Sequence, residues 1–369
     1  MAGLVQSNLS IFNFEDTASM LRNTILIPTI LLIGLFFFLM QRHYVIDASS
    51  VYKDGAAIIC ESKRHLVRSN QINNNKRINT FFIGNSKILT GLIPDYFDMD
   101  LNGAVTSFNL SLPALPVGPH YYCLKDYIKN NTPPQYIVIY LSTYRGMIDS
   151  MAGKLVRYYC NQGSMSFHEL LSYSIFFRDP WILIYHILPQ LMFSDFVDSY
   201  TFNNLFHKDD IIKIREHNMT LLTRMVKDRG YYFIEEQARF PDKALPEDFS
   251  EDMHPNQTRP IFDVDSDIFL DKFFRFTSSE GIKVLLIEPP YRRGQYSQFS
   301  EIPAQYKAIL QRYDNVYIAP DGWKTKFYEN RYFSDPTHLN HEGAILYTRE
   351  IAHEFAELFH LGPDRCGIP

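Results

Sequence analysis

80-TFFIGNSKILTGLIP-94 is the stretch on which the reading of this chain turns. The apolar run 80-TFFIG-84 has the length and character of a strand buried on both faces. Gly84-Asn85-Ser86 interrupts it, and Ile88, Leu89 and Leu92 then recur at helical spacing. The stretch predicts strand, tight turn, helix. In parallel α/β sheets ligands bind beyond the carboxyl ends of the strands, and Ser86 falls at such an end. Taken alone, the stretch leaves two readings of Ser86 open. It is an N-cap serine after a glycine turn, or it is a hydroxyl presented as a nucleophile at the positive end of a helix.

The same alternation continues outward. 104-AVTSFNLS-111 predicts a second strand, 113-PALPVGPH-120 a loop, 121-YYCLKDYIKN-130 a helix and 136-YIVIYLS-142 a buried strand. Later, residues 262–281 predict a helix closed by Gly281, 283-KVLLIEPP-290 a strand, 301–315 a helix, 316-VYIAP-320 a short strand and 341–360 a final amphipathic helix. Residues of about 145–260 form an insertion. It holds the apolar run 180-PWILIYHILPQLMF-193, helical up to Pro189, an amphipathic run over 208–228 and an acidic, proline-bearing loop over 241–260. Strands alternating with helices predict an α/β sandwich with a largely parallel sheet over 78–360.

Composition agrees with a large core: hydrophobic residues make up 46% of the 369 and charged residues 21%. The net charge of -5 argues against nucleic-acid binding, which calls for a basic face. Cys60, Cys123, Cys160 and Cys366 form no paired or histidine-flanked cluster, so they read as buried free thiols rather than zinc ligands. The uncharged run 24-TILIPTILLIGLFFFLM-40 reads as an uncleaved transmembrane anchor. It follows an N-terminal tail, 1–23, and precedes a polar stem, 41–77; residues 361–369 form a C-terminal tail. The expectation is a single-pass protein held in the membrane through residues 24–40. Arg22 and Arg42 nearly balance across the run, so charge does not fix its orientation.

A nucleophilic hydroxyl needs a base, and the base needs a carboxylate to orient it. 334-SDPTHLNHEG-343, far along the chain, supplies both. An Asp-x-x-His pair on one turn lets the Asp335 carboxylate reach Nδ1 of His338 while Nε2 faces a serine elsewhere. Ser86 is then the candidate nucleophile, His338 the general base and acid, and Asp335 the orienting group.

The pairing of Gly84-Asn85-Ser86 with Asp335 and His338 resembles the SGNH (GDSL-type) hydrolase superfamily. There the nucleophile follows the first strand and Asp-x-x-His precedes the last helix. 338-HLNHEGAILYT-348 is also similar to the segment after the family's histidine. The resemblance covers about 78–360. It implies a three-layer α/β sandwich and an acyl-serine intermediate, with no metal or organic cofactor. With the apolar run at 24–40, the layout resembles the membrane-anchored envelope branch, which includes D-alanyl-lipoteichoic-acid transfer proteins and partners of membrane-bound O-acyltransferases. That implies an extracytoplasmic domain, an acyl donor, a glycan or other hydroxyl acceptor, and a membrane-bound O-acyltransferase as partner. The chain departs from the family where Asn85 stands for aspartate and where the Gly-x-Asn-Asp block is missing. Asn85, Asn109 and Ser142 are the candidates for oxyanion or substrate binding, with Asn109 ahead of Ser142 and Thr143. A degenerate domain serving as a tethered binding module is the rival reading. The Ser86–His338 distance separates the two, since a working pair lies about 2.6–3.2 Å apart.

Other groups carry less weight. Asp314 and Asp321 do not share a turn with a histidine, His341 reads as polar surface at a helix cap, and Arg292 and Arg293 read as an exposed loop after a strand. Asn109-Leu110-Ser111 and Asn256-Gln257-Thr258 are sequons.

Overall fold

The computed structural model describes residues 26–33, 55–68, 77–113, 117–141, 165–177, 180–187, 216, 219–221, 223–233, 268–293, 302, 304–323, 325–335 and 337–361. The chain divides into two units, Met1–Ala48 and Ser49–Pro369.

In the first unit residues 26–33 are helical, and Leu26, Ile30, Leu31 and Leu32 are exposed. A helix needs about 20 apolar residues to cross a bilayer. Among the described residues no helix is long and apolar enough to do so. This corrects the anchor expected over 24–40, and with it the single-pass topology and the membrane as a partner. The rest of that run lies outside the described residues.

The second unit is built on a parallel sheet. Its strands are β1 (Thr80–Ile83), β2 (Ser107–Asn109), β3 (Tyr136–Ile139), β4 (Lys283–Leu286) and β6 (Val316–Tyr317), in the order β2-β1-β3-β4-β6. All four pairings are parallel, with Phe81 opposite Phe108 on one side and Ile137 on the other. The chain leaves β1 for one flank and returns for β3 on the other. That reversal opens a crevice beyond the carboxyl ends of β1 and β3, the place where such sheets bind ligands. A separate parallel pair joins β5 (Tyr291–Arg292) to β7 (Phe327–Tyr328).

The helices in chain order are α1 (Gly55–Arg68), α2 (Ser86–Leu89), α3 (Pro94–Asp100), α4 (Val117–Asn130), α5 (Phe167–Phe177), α6 (Trp181–Ile187), α7 (Ile268–Ser279), α8 (Ala304–Arg312) and α9 (His341–Phe359). They cover both faces, because side chains alternate along a strand. Phe81 meets Tyr127 of α4 edge to face at 4.8 Å, and Phe82 meets Phe97 of α3 at 4.9 Å. Phe97 in turn meets Phe355 of α9 at 5.2 Å. Each of these rings is fully buried, a contribution of about 1.5–3 kcal/mol apiece.

Three elements differ from those expected. Residues 55–68, read as part of a polar stem, form α1, which buries Ile59, Cys60, Leu66 and Val67. α4 begins at Val117, inside the stretch expected as a loop. β2 spans three residues; the Leu110 N–H still donates to the Phe82 carbonyl of β1 at 2.8 Å, while the Asn109 N–H, facing the open edge, donates to the Arg229 carbonyl at 2.9 Å. That contact covers the open edge of the sheet. Gly230 makes it feasible, since a Cβ there would stand 2.1 Å from the Asn109 carbonyl oxygen, and its φ of +83° is one that side chains resist. Cys60 and Cys123 are buried and form no disulfide, while Cys160 and Cys366 lie outside the described residues.

Candidate functional site

The site begins at the exit of β1. Gly84 brings the chain close against the start of α2, and a Cβ on it would lie 2.6 Å from Ile88 Cγ1. Only a residue without a side chain allows so tight a turn from strand to helix. Asn85 is the N-cap, and its Oδ1 accepts the Lys87 N–H at 3.0 Å. Ser86 is the first residue of the helix and is half-buried. The Ser86 N–H and Asn85 Nδ2 make no hydrogen bond among the described residues.

The loop between β7 and α9 brings the other side chains. Phe333 and Leu339 form an antiparallel bridge, and the Ser334 N–H donates to the His338 carbonyl at 2.9 Å. Asp335 and His338 therefore share one closed turn. Asn340 caps α9 by accepting the Gly343 N–H at 2.9 Å. Two buried hydroxyls then join α9 to the strand exits. Thr348 Oγ1 accepts the Ile93 N–H at 3.0 Å, and Tyr347 donates to the Glu288 carbonyl at 2.9 Å. The last helix thus fixes the histidine turn against the exits of β1 and β4.

The result is a continuous hydrogen-bonded chain. His338 Nε2 lies 2.8 Å from Ser86 Oγ, and His338 Nδ1 lies 2.7 Å from Asp335 Oδ2. Asp335 Oδ1 accepts the backbone N–H groups of Thr337 at 2.8 Å and His338 at 2.9 Å. Burial pushes the Asp335 carboxyl up. The hydrogen bond and charge of His338 and those two N–H groups outweigh it and hold the group well below the usual carboxylate range. An ionised carboxylate only accepts, so Nδ1 of His338 carries the proton and Nε2 accepts from the Ser86 hydroxyl.

The other sequence candidates fall elsewhere. Asn109 is fully buried, and its amide donates to the carbonyls of Ile88 and Leu92, each at 2.9 Å, while its Oδ1 accepts the Ser111 N–H. Its hydrogens are committed to the turn after α2, so it latches the nucleophile turn from below and has no N–H to offer an oxyanion. Ser142 and Thr143 lie outside the described residues. Arg292 is buried in β5 rather than exposed on a loop. His341 packs among Tyr96, Tyr231 and Phe233, with its Nδ1 3.5 Å from the Tyr231 hydroxyl.

Two features around the site carry no motif in the sequence. The first is residues 228–233, a segment within the insertion. The Arg229 guanidinium is hydrogen-bonded to Asp95 and Asp98, and the Tyr232 N–H donates to the Leu89 carbonyl at 3.2 Å. The second is Lys63 of α1, fully buried, whose Nζ donates to the carbonyls of Asn109 at 2.7 Å and Ser111 at 2.6 Å. An arginine between Asp228 and Gly230 and a lysine at helical spacing among apolar residues look ordinary until tertiary contacts place them. Among the described residues no group of three or more His, Cys, Asp or Glu is placed to hold a metal ion.

The chain matches no family model, no curated protein and no solved structure. This corrects the expectation drawn from the two motifs: nothing links the chain to the SGNH superfamily, and the envelope branch, its membrane-bound partner and its glycan acceptor fall with that link. The mixed α/β fold and the Ser86–His338–Asp335 geometry stand on their own distances.

Proposed function

We propose that this protein is an enzyme of ester chemistry, a serine-dependent esterase or O-acyltransferase, with Ser86 as the group that is acylated. The observation that carries the reading is the 2.8 Å contact between Ser86 Oγ and His338 Nε2, two atoms whose residues are 252 positions apart. That distance lies within the range a nucleophile and its base require. Ser86 Oγ attacks the acyl carbonyl carbon and its proton passes to Nε2 of His338. Asp335 stabilises the imidazolium through Nδ1–H without taking the proton. Collapse of the tetrahedral species expels the alcohol, which takes the proton from Nε2, and leaves an acyl ester on Ser86. Water or a second hydroxyl then attacks that ester and gives its proton to Nε2 of His338; the second tetrahedral species collapses, the bond from the acyl carbon to Ser86 Oγ breaks, and Oγ recovers the proton from Nε2. The reading assigns the Ser86 N–H, at the first residue of α2, to the developing oxyanion.

The test is labelling of the purified chain with a serine-reactive fluorophosphonate, alongside Ser86→Ala. We expect wild type to label and Ser86→Ala to stay unlabelled. Equal labelling of both would remove Ser86 as the reactive group, and a silent wild type would count against an activated serine.

A further inference from the structure

Asp335 has two oxygens and they face different partners. Oδ2 meets His338 Nδ1 at 2.7 Å. Oδ1 takes three donors: the Thr337 N–H at 2.8 Å, the His338 N–H at 2.9 Å and the Thr337 hydroxyl at 3.0 Å. Three donors on one oxygen fix the plane of the carboxylate, so that Oδ2 can point only at the histidine. The Thr337 hydroxyl does one thing more. Having given its proton to Oδ1, it turns a lone pair toward His338 Nδ1, 3.2 Å away. The Nδ1 proton thus lies between two acceptors on the same turn.

We propose that Thr337 is a positioning residue for acyl transfer. Its hydroxyl locks the Asp335 carboxylate and holds the Nδ1–H tautomer of His338, which keeps the Nε2 lone pair on Ser86. The role rests on the reading of Ser86 as nucleophile, and it belongs to the hydroxyl, not to the shape of the side chain. Thr337 is itself exposed, so the oxygen is not needed for packing. The two backbone N–H groups would still hold Oδ1 without it, so the turn survives while its second acceptor is lost.

The experiment compares fluorophosphonate labelling rates of wild type, Thr337→Val and Thr337→Ser in the full chain. Valine keeps the branched shape and removes the hydroxyl, whereas serine keeps the hydroxyl and removes the methyl. A hydrogen bond to a charged group sets the scale, and we expect valine to slow labelling about tenfold, with serine restoring it to within about twofold of wild type. A companion readout is the low-field NMR signal of the His338 Nδ1 proton. It should be present in wild type and Thr337→Ser and shifted or broadened by exchange in Thr337→Val. Unchanged labelling in Thr337→Val overturns the proposal, as does equal slowing in both variants, since shape would then be the determinant. If wild type itself fails to label, the reading of Ser86 fails first and this inference falls with it.

Discussion

Asp335→Asn is expected to slow acylation of Ser86 by about 10⁴-fold, the scale seen when an asparagine forces the wrong histidine tautomer. The reason lies in the turn itself. The Oδ1 position accepts three hydrogen bonds, two of them from backbone N–H groups that cannot be reversed. The amide oxygen of an asparagine must therefore occupy that position, which turns Nδ2 and its two hydrogens toward His338 Nδ1. An N–H donor there requires Nδ1 to accept. The proton then sits on Nε2, and Nε2 can no longer take the proton of Ser86 Oγ, 2.8 Å away. The variant is isosteric, so the fold should persist. The measurement is the pseudo-first-order rate of fluorophosphonate labelling at neutral pH, with thermal unfolding as the control. A loss of less than about tenfold with the fold intact would mean that Asp335 does not set the tautomer, and the proposed proton path would fail with it.

How far the sequence could be read depended on whether a feature was local. The strand–turn–helix at 80–94 was legible because an apolar run, a glycine and a helical repeat are all short-range signals, and β1 and α2 fall there. The Asp335-x-x-His338 spacing was legible for the same reason: both residues sit on one turn. The sheet order was not, because the reversal between β1 and β3 depends on which flank each crossover takes. Asn109 shows the limit most clearly. An asparagine at a strand end near the nucleophile looks like an oxyanion donor, but three carbonyls of the turn after α2 lie around its amide. Nothing within several residues of Asn109 announces those carbonyls. Residues 55–68 read as a stem because Glu61, Lys63, Arg64, His65 and Arg68 make the segment polar by composition. Among its described side chains Ile59, Cys60, Leu66 and Val67 are buried together with Ser62 and Lys63, and a buried lysine defeats the periodicity that reveals a core helix. The apolar run at 24–40 misled in the opposite way, since hydropathy alone does not establish a spanning helix.

Raising the pH toward 9.5, above the depressed native value of Lys63, is expected to stabilise the protein, and Lys63→Met should abolish that gain. Burial lowers the Lys63 amine well below its ordinary value of 10.5, and the neighbouring Cys60 and Cys123 thiols only partly oppose it. The local geometry fits a neutral amine. Its two N–H groups match the Asn109 and Ser111 carbonyls, and no carboxylate among the described residues pairs with it. Above the depressed native value the folded chain holds no proton on Lys63, while the unfolded chain keeps one up to about 10.5. The unfolded state then binds one more proton, so stability rises with pH across that window, by about 1.4 kcal/mol per pH unit. Relative to that alkaline limit, stability is lost as the pH falls toward the native value and is flat below it. Tyrosines run the other way. Burial raises Tyr231, Tyr328 and Tyr347, so their protons favour the folded state less as the pH climbs beyond the ordinary tyrosine value of 10.0. Keeping below pH 9.5 separates the two. Urea unfolding of wild type and Lys63→Met at several pH values is the measurement. Methionine leaves two buried carbonyls without a donor, a cost of about 1–3 kcal/mol each that does not vary with pH. The slope therefore decides: a Lys63→Met variant that keeps the wild-type slope would place the titration elsewhere. The Asn109 carbonyl that Lys63 holds belongs to the residue whose amide latches Ile88 and Leu92, so Lys63 also supports the turn beneath Ser86.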